Sequence, residues 1–390
     1  MTDAVIVAAV RTAIGRSGKG LSSLTLLDIG AQTVSGVIAN AGLDVNDIDD
    51  LLIGEVLQGG GCTARYIANV LGLPPNTPGG TVQRQCATGM MAVQEAAANI
   101  RSGMARVVIA GGVESMTRSP AIFAKSPVAF GHMTQFIPPS HPDTADAPNM
   151  NMLITVGENT ANECGITREE SDYWSYHSNI RAIAAMDDGR FAEEIIPVTV
   201  PVGRGETATI SVDEHPRRDT TLEKLAALPS LTGPNGTITA GNSSGIADGG
   251  AALIVVDREY AEAHGMTILA TVRSWNSCGI EPGRTGLAPT IAVPRALELA
   301  GLDVSDVDLV EINEAFASMS VACSRKLGFS HDIVNVNGGA VGIGHPVAAS
   351  GARILVTLIH ELRRRGGGIG VGTLCAGGGM GSATVLEVYA

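Results

Sequence analysis

The sequence predicts an α/β protein made of two copies of one half-chain fold, with a long segment inserted between them. Three observations carry this reading. Short, continuously apolar runs alternate with helical patterns, as in a sheet covered on both faces. Residues 41–56, AGLDVNDIDDLLIGEV, match residues 300–315, AGLDVSDVDLVEINEA, at nine of 16 positions, with no gap and an offset of 259. Between the copies, roughly residues 117–245, the chain changes character and becomes rich in proline and polar residues. A period of this length is far too large for a solenoid, so it marks a duplication.

The elements follow in order. Thr25-Leu-Leu-Asp28 reads as a helix start, with the Thr hydroxyl able to cap a free N–H. Leu27, Ala31, Val34, Ile38 and Ala41 then recur at helical spacing. Residues 51–56 read as a strand, 87–100 as a helix, and 106–110 (RVVIA) as a buried strand ending at Gly-Gly. Segment 119–150 carries Pro120, Pro127, Pro138, Pro139, Pro142 and Pro148 and reads as a long loop excursion. Residues 167–190 read as an amphipathic helix ending near Gly189. A long insertion on an α/β core usually carries function, and substrate contact is the expectation. In the second copy, 291–300 and 348–364 read as helices, and 307–312, 369–374 and 383–388 as strands.

Composition narrows the function. At 390 residues, two or three domains or lobes are expected. A net charge of −13 argues against non-specific nucleic-acid binding but leaves room for a local basic patch on an anionic substrate. The first apolar run is too short and too early for a signal peptide, and no apolar run reaches the length of a membrane span. Six irregularly spaced cysteines with no CxxC pair are neither a disulfide framework nor a zinc site. A cytoplasmic protein with free thiols is the expectation. The run Gly338–Gly344 has no acidic residue at the distance a dinucleotide loop needs, so no NAD site is read there.

Cys86, in VQRQCATGMMAV, stands before a small-residue helix. By itself this fits a buried structural thiol as well as a nucleophile. Adding the repeat offset to Cys86 lands on His345, in NVNGGAVGIGHPVAASG, again between a glycine-rich turn and a small-residue helix. A pseudo-twofold axis between the halves would bring thiol and imidazole together. A helix N-terminus favours a thiolate, a histidine can take its proton, and free backbone N–H groups can form an oxyanion hole. Asn313, at the strand-to-helix junction, has Gly54 as its counterpart, an asymmetry expected of function. Cys375 ends a strand and enters the glycine-rich turn CAGGGMG.

With these pieces, the chain resembles the thiolase family of coenzyme A-dependent acyltransferases, nearly end to end. The resemblance runs through VIVAAVRTAIGR, the Cys86 segment, AGGVESM, GITREESD, NGTITAGNSSGIADGGAA, INEAFA, the GHP turn and CAGGGMG. It implies two βαβαβαββ halves in a five-layer αβαβα arrangement with an inserted loop domain. The boundaries are then 1–117 for the first part of the N-terminal half, 118–245 for the loop domain, 246–267 for the end of that half, and 268–390 for the C-terminal half. It implies Cys86 as acyl-carrying nucleophile and His345 as its activating base. Cys375 is the acid/base at the α-carbon of acetyl-CoA. Asn313 holds a water that shares one oxyanion hole with His345, and the N–H groups of Cys86 and Gly377 form the other. Arg217 and Ser244 match positions beside the CoA nucleotide and pantetheine arm. The pair Arg217–Arg218 reads either as a phosphate contact or as a solvated surface pair. CoA and acyl-CoA are substrates, no resident metal or redox cofactor is implied, and a homodimer or homotetramer is.

The chain departs from the family pattern at Gln83, usually Asn, and at Ala348, usually Gly. Met152–Asn159 stands where biosynthetic members show HMGxTAEN. The segment at 59–74 is shorter than usual and includes Cys62. Cys62, Cys164, Cys278 and Cys323 read as buried or incidental thiols. The histidines other than His345 read as surface groups, with His132 and His141 as candidates for the acyl pocket. Two alternatives stay open: a decarboxylating ketoacyl synthase, which typically uses one Cys and two His, and an acyl-CoA- or lipid-binding relative without turnover.

Overall fold

The computed structural model describes residues 2–150 and 152–390. Its main-sheet strands are β1 (Ala4–Thr12), β2 (Asp50–Gly54), β3 (Val107–Ser115), β4 (Ala247–Asp257), β5 (Ala270–Gly279), β6 (Leu309–Ile312), β7 (Gly368–Ala376) and β8 (Met380–Val388). The helices that matter here are α1 (Leu26–Ala41), α2 (Thr63–Val70), α3 (Thr88–Arg101), α4 (Met152–Cys164), α5 (Arg168–Asp187), α6 (Pro289–Ala300), α7 (Ala317–Leu327) and α8 (Ser350–Arg364).

The strand order is β6-β7-β8-β5-β1-β4-β3-β2. Read outward from the middle, β1-β4-β3-β2 repeats as β5-β8-β7-β6, so the duplication is visible in the topology. The halves meet where β1 and β5 pair antiparallel, Val5 opposite Thr271 and Ile6 opposite Ala270. The repeated sequence forms the same local structure twice. α1 ends at left-handed Gly42 (φ 61°) and α6 at left-handed Gly301 (φ 70°), and each leads through a short 3₁₀ turn into β2 or β6. Thr25 caps α1 as expected, in a reciprocal pair with Asp28.

Strand alternation assigns the layers. Ala4, Ile6, Ala110 and Leu253 point inward onto α3 and α8, where Leu374 and Leu386 from the other half meet them. Val5, Val10, Ile109 and Ile254 point outward and pack with α1 and α2. Val310, Val371 and Val385 pack with α6 and α7. The layers therefore run helix, sheet, helix, sheet, helix.

Two expectations are corrected. β3 does not stop at Gly-Gly but continues to Ser115. The glycines are there for close approach, since a Cβ on Gly111 would lie 2.0 Å from the Ala251 carbonyl oxygen and one on Gly112 would lie 2.1 Å from that of Ala348. α5 starts at its Thr167 cap, but its buried face is mainly small and polar, including Ser171, Asp172, Ser175, Ser178 and Asn179. Polar partners hold much of that face, while Trp174, Ala182 and Ala185 pack into apolar clusters. The excursion at 119–150 is mostly loop, with one short strand pair, Phe123–Ala124 with Thr134–Gln135.

Candidate active site

Gln85 turns the chain so that Cys86 faces the cleft. It holds φ at 48°, a left-handed value that a non-glycine residue adopts only when its surroundings enforce it. The turn is tied by Ala87 N–H to the Arg84 carbonyl and by Arg84 N–H to the Thr88 hydroxyl. From the other half, Gly344 at φ 105° delivers His345, whose N–H donates to the Gly245 carbonyl. α3 and α8 then cross at their first turns, where Gly89 N–H donates to the Ala348 carbonyl at 2.9 Å.

The two reactive groups meet across this crossing. His345 Nε2 lies 3.3 Å from Cys86 Sγ, and the pair is separated by the repeat offset of 259 residues. His345 Nδ1 lies 2.6 Å from Ser350 Oγ, and the Ser350 hydroxyl donates to the Pro346 carbonyl. Ser350 therefore accepts from Nδ1–H, which leaves the Nε2 lone pair facing the thiol. Asn313 Nδ2 donates to the same Nε2 at 3.4 Å.

The Asn313 loop is pinned from behind. Glu314 is buried and accepts from Trp174 Nε1, Asn335 Nδ2, the Ser178 hydroxyl and Val341 N–H. This network is what the polar face of α5 serves. Asn313 Oδ1 is buried and has no partner among the described residues.

Cys375 is buried at the end of β7, with its S–H toward Met319 Sδ at 3.8 Å. Beyond it the turn passes through left-handed Gly378 and Gly379. This aims Gly377 N–H at the Cys86 sulfur, alongside the Cys86 N–H itself.

Burial decides the charge state. It pushes the Cys86 thiol up to about 11, although those two N–H groups pull the other way. Burial, and secondarily the Arg353 guanidinium, holds His345 down at about 3. Burial, then Cys86, raises the Cys375 thiol well above its ordinary value. Burial therefore outweighs the pull of the helix N-terminus toward thiolate, and the pair is held toward neutral thiol and neutral imidazole.

Cys86 and Gly377 open onto a cavity of about 870 Å³. Gln83, Met152 and Leu153, three of the departure positions, line it, as does His141, whereas His132 does not. Neither CoA candidate lines this cavity. Arg217 is exposed and borders a smaller cleft with Asn179, Thr220 and Ser243. Ser244 is half-buried, its N–H donating to the Ala315 carbonyl. Arg218 forms an exposed ion pair with Asp187.

Several supporting residues were not identified from sequence. Glu114 is buried and accepts from Leu57 N–H and Ala348 N–H, joining the acyl-cavity loop to the His345 segment. Burial raises it to about 7. His215, expected at the surface, is buried, with its ring against Gly245 and Gly344. AGGVESM contains Glu114, and His215 lies two residues before Arg217, but only their three-dimensional neighbours reveal what they do. Cys62 is exposed, whereas Cys323 is buried.

The comparisons agree with this architecture. Residues 4–259 match the family model "Thiolase, N-terminal domain" and residues 266–388 match "Thiolase, C-terminal domain". The chain is 42% identical over 392 residues to an acetyl-CoA acetyltransferase of Escherichia coli, covering 99% of each protein. It is 39% identical over 400 residues to a beta-ketoadipyl-CoA thiolase of Acinetobacter baylyi, covering 99% of this chain and 100% of that one. The crystal structure of the Bacillus anthracis acetyl-CoA acetyltransferase superposes with a TM-score of 0.91 at 36% identity, over 100% of this chain and 99% of that one. Human mitochondrial 3-ketoacyl-CoA thiolase gives 0.90 at 34%, with the same coverage. Two matched halves around one cysteine–histidine pair, and relatives aligned end to end, place this chain in the thiolase family of CoA-dependent acyltransferases.

Proposed function

We propose that Cys86 carries the acyl group between CoA thioesters, with His345, Cys375, Asn313 and Gly377 in the roles below. The observation that carries this reading is the 3.3 Å approach of His345 Nε2 to Cys86 Sγ, with Ser350 occupying the other ring nitrogen. In the cleavage direction the Cys86 S–H proton passes to His345 Nε2 as sulfur attacks the 3-keto carbon. The Cys86 and Gly377 N–H groups receive the oxyanion. The C2–C3 bond breaks, its electron pair stays on C2, and the Cys375 S–H protonates the resulting acetyl-CoA enolate. His345 and the amide of Asn313, with a water it holds, stabilise the enolate oxygen. The Cys375 thiolate then takes the proton of an incoming CoA thiol, which attacks the acyl-Cys86 thioester. Cys86 leaves and recovers its proton from His345. Condensation is the reverse, by the same ping-pong route.

Two neutral thiols suit this scheme, because each gives up its proton only when a substrate atom is ready to share the charge. CoA binds with its nucleotide at Arg217 and its pantetheine arm at Ser244. The segment 118–245 serves as the loop domain, a homodimer or homotetramer is the working assembly, and a reducing cytoplasm keeps the thiols free. No helix among the described residues is long and apolar enough to cross a membrane.

Purified protein given CoA and 3-ketoacyl-CoA substrates should release acetyl-CoA. Cys86→Ala should abolish acyl-enzyme formation. Cys375→Ala should still acylate but lose α-proton exchange on acetyl-CoA. Equal acylation of Cys86→Ala would overturn the assignment.

A further inference from the structure

We infer that the acyl group this enzyme prefers is a medium or long, uncharged chain, rather than acetoacetyl or an acyl group ending in a carboxylate. The inference rests on the acyl-transfer reading above. It stands on the cavity onto which Cys86 opens, about 870 Å³ of space shared between the acyl chain and the arm of CoA that reaches the thiol, and above all on what lines it.

The walls are chemically one-sided. Met116, Ile122, Phe136, Ile137, Met152 and Leu153 supply aliphatic, thioether and aromatic surface. Five of these come from the proline-rich excursion and from the start of α4 at Met152–Leu153, where the chain leaves the pattern of biosynthetic members. The polar groups along the walls are mostly amides and hydroxyls, such as Gln83 and Ser140. No lysine or arginine lines the cavity among the described residues, and the carboxylate present, Glu55, is buried with Oε2 accepting from Gln58 N–H. A terminal carboxylate taken into this space would meet no lysine or arginine and one like charge, while both ring nitrogens of His141 are already engaged by Ser140 Oγ and the Ala147 carbonyl, so its desolvation would go largely uncompensated. A methyl-ended chain meets the opposite conditions. Each methylene it buries lowers the transition-state free energy by an amount worth up to about fourfold in kcat/KM.

The test is a thiolysis panel of 3-ketoacyl-CoA substrates on the purified full chain: acetoacetyl-CoA, 3-ketooctanoyl-CoA, 3-ketodecanoyl-CoA and 3-ketoadipyl-CoA. kcat/KM should rise at least about tenfold from acetoacetyl-CoA to the octanoyl or decanoyl substrate, given a few buried methylenes. The adipyl substrate should fall below the neutral substrates. Turnover that is best with acetoacetyl-CoA, or equal with 3-ketoadipyl-CoA, overturns this inference and leaves the catalytic reading intact. No turnover with any member of the panel takes down both. Ile122→Trp, which fills the cavity wall, should lower the ratio of decanoyl to acetoacetyl activity. An unchanged ratio in a variant that still turns over would also overturn the inference.

Discussion

The Cys86 thiol and the His345 imidazole rest uncharged because burial acts on both in the direction of neutrality. For a thiol that means a raised pKa, here to about 11, and for an imidazole a lowered one, to about 3. Across the pH range between those limits neither group carries charge, and the proton moves only during attack. The ultraviolet absorbance of thiolate, taken as wild type minus Cys86→Ala, should therefore stay flat through neutral pH. It should rise only as pH approaches about 11. A step near or below neutral pH would show a resting thiolate–imidazolium pair and refute this account. Ser350 makes the neutral pair usable, since it fixes which nitrogen of His345 carries the hydrogen.

The helices α3 and α8 set the distance between those groups, and glycine sets how closely the helices cross. A Cβ on Gly351 would lie 2.5 Å from the Met90 backbone nitrogen, and one on Gly89 would lie 2.8 Å from the Ala348 carbonyl oxygen. Backbone cannot step aside as a flexible side chain can, so the crossing would have to open. Gly351→Ala should therefore cost about 1–3 kcal/mol of stability, as overpacking of a well-filled core does. It should also slow acetylation of Cys86, because both reactive residues precede these helices. Denaturant unfolding and the burst of CoA released from acetyl-CoA measure the two effects. Lost stability with an undiminished burst would detach the crossing from catalysis.

The same elements show what a reader of the sequence can reach. The pairing of Cys86 with His345 was legible because a duplication converts one sequence offset into a spatial relation. Five of the eight main-sheet strands were legible from their apolar runs, whereas β1, β4 and β5 were not assigned. The glycine-bearing end of β3 and the polar buried face of α5 were not legible, because each depends on a neighbour brought in by the fold: Ala251 and Ala348 for one, Glu314 for the other. The balance that sets the charge state of Cys86 was not legible for a related reason. Helix ends are visible in sequence, whereas the degree of burial that outweighs them depends on both halves closing over the site.

Over the whole molecule, the feature left without an internal partner is the surface of the proline-rich excursion. Phe123, Val128, Phe130 and Met133 are exposed there, within a chain that carries a net charge of −13. If the proposed homo-oligomer forms, these exposed apolar side chains are where a second copy of the same chain would pack. Light scattering should then find an assembly of at least two chains. Phe130→Ser combined with Met133→Ser should shift it toward a lower order. Cys86, His345, Asn313 and Cys375 all come from one chain, so the dissociated variant should still be acetylated at Cys86. Its use of long acyl chains should weaken if the proposed contact steadies the excursion, because Ile122, Phe136 and Ile137 lie on it. A wild-type protein that stays monomeric at every concentration would refute the assembly. A dissociated variant with an unchanged chain-length preference would show that the excursion holds its shape without a partner.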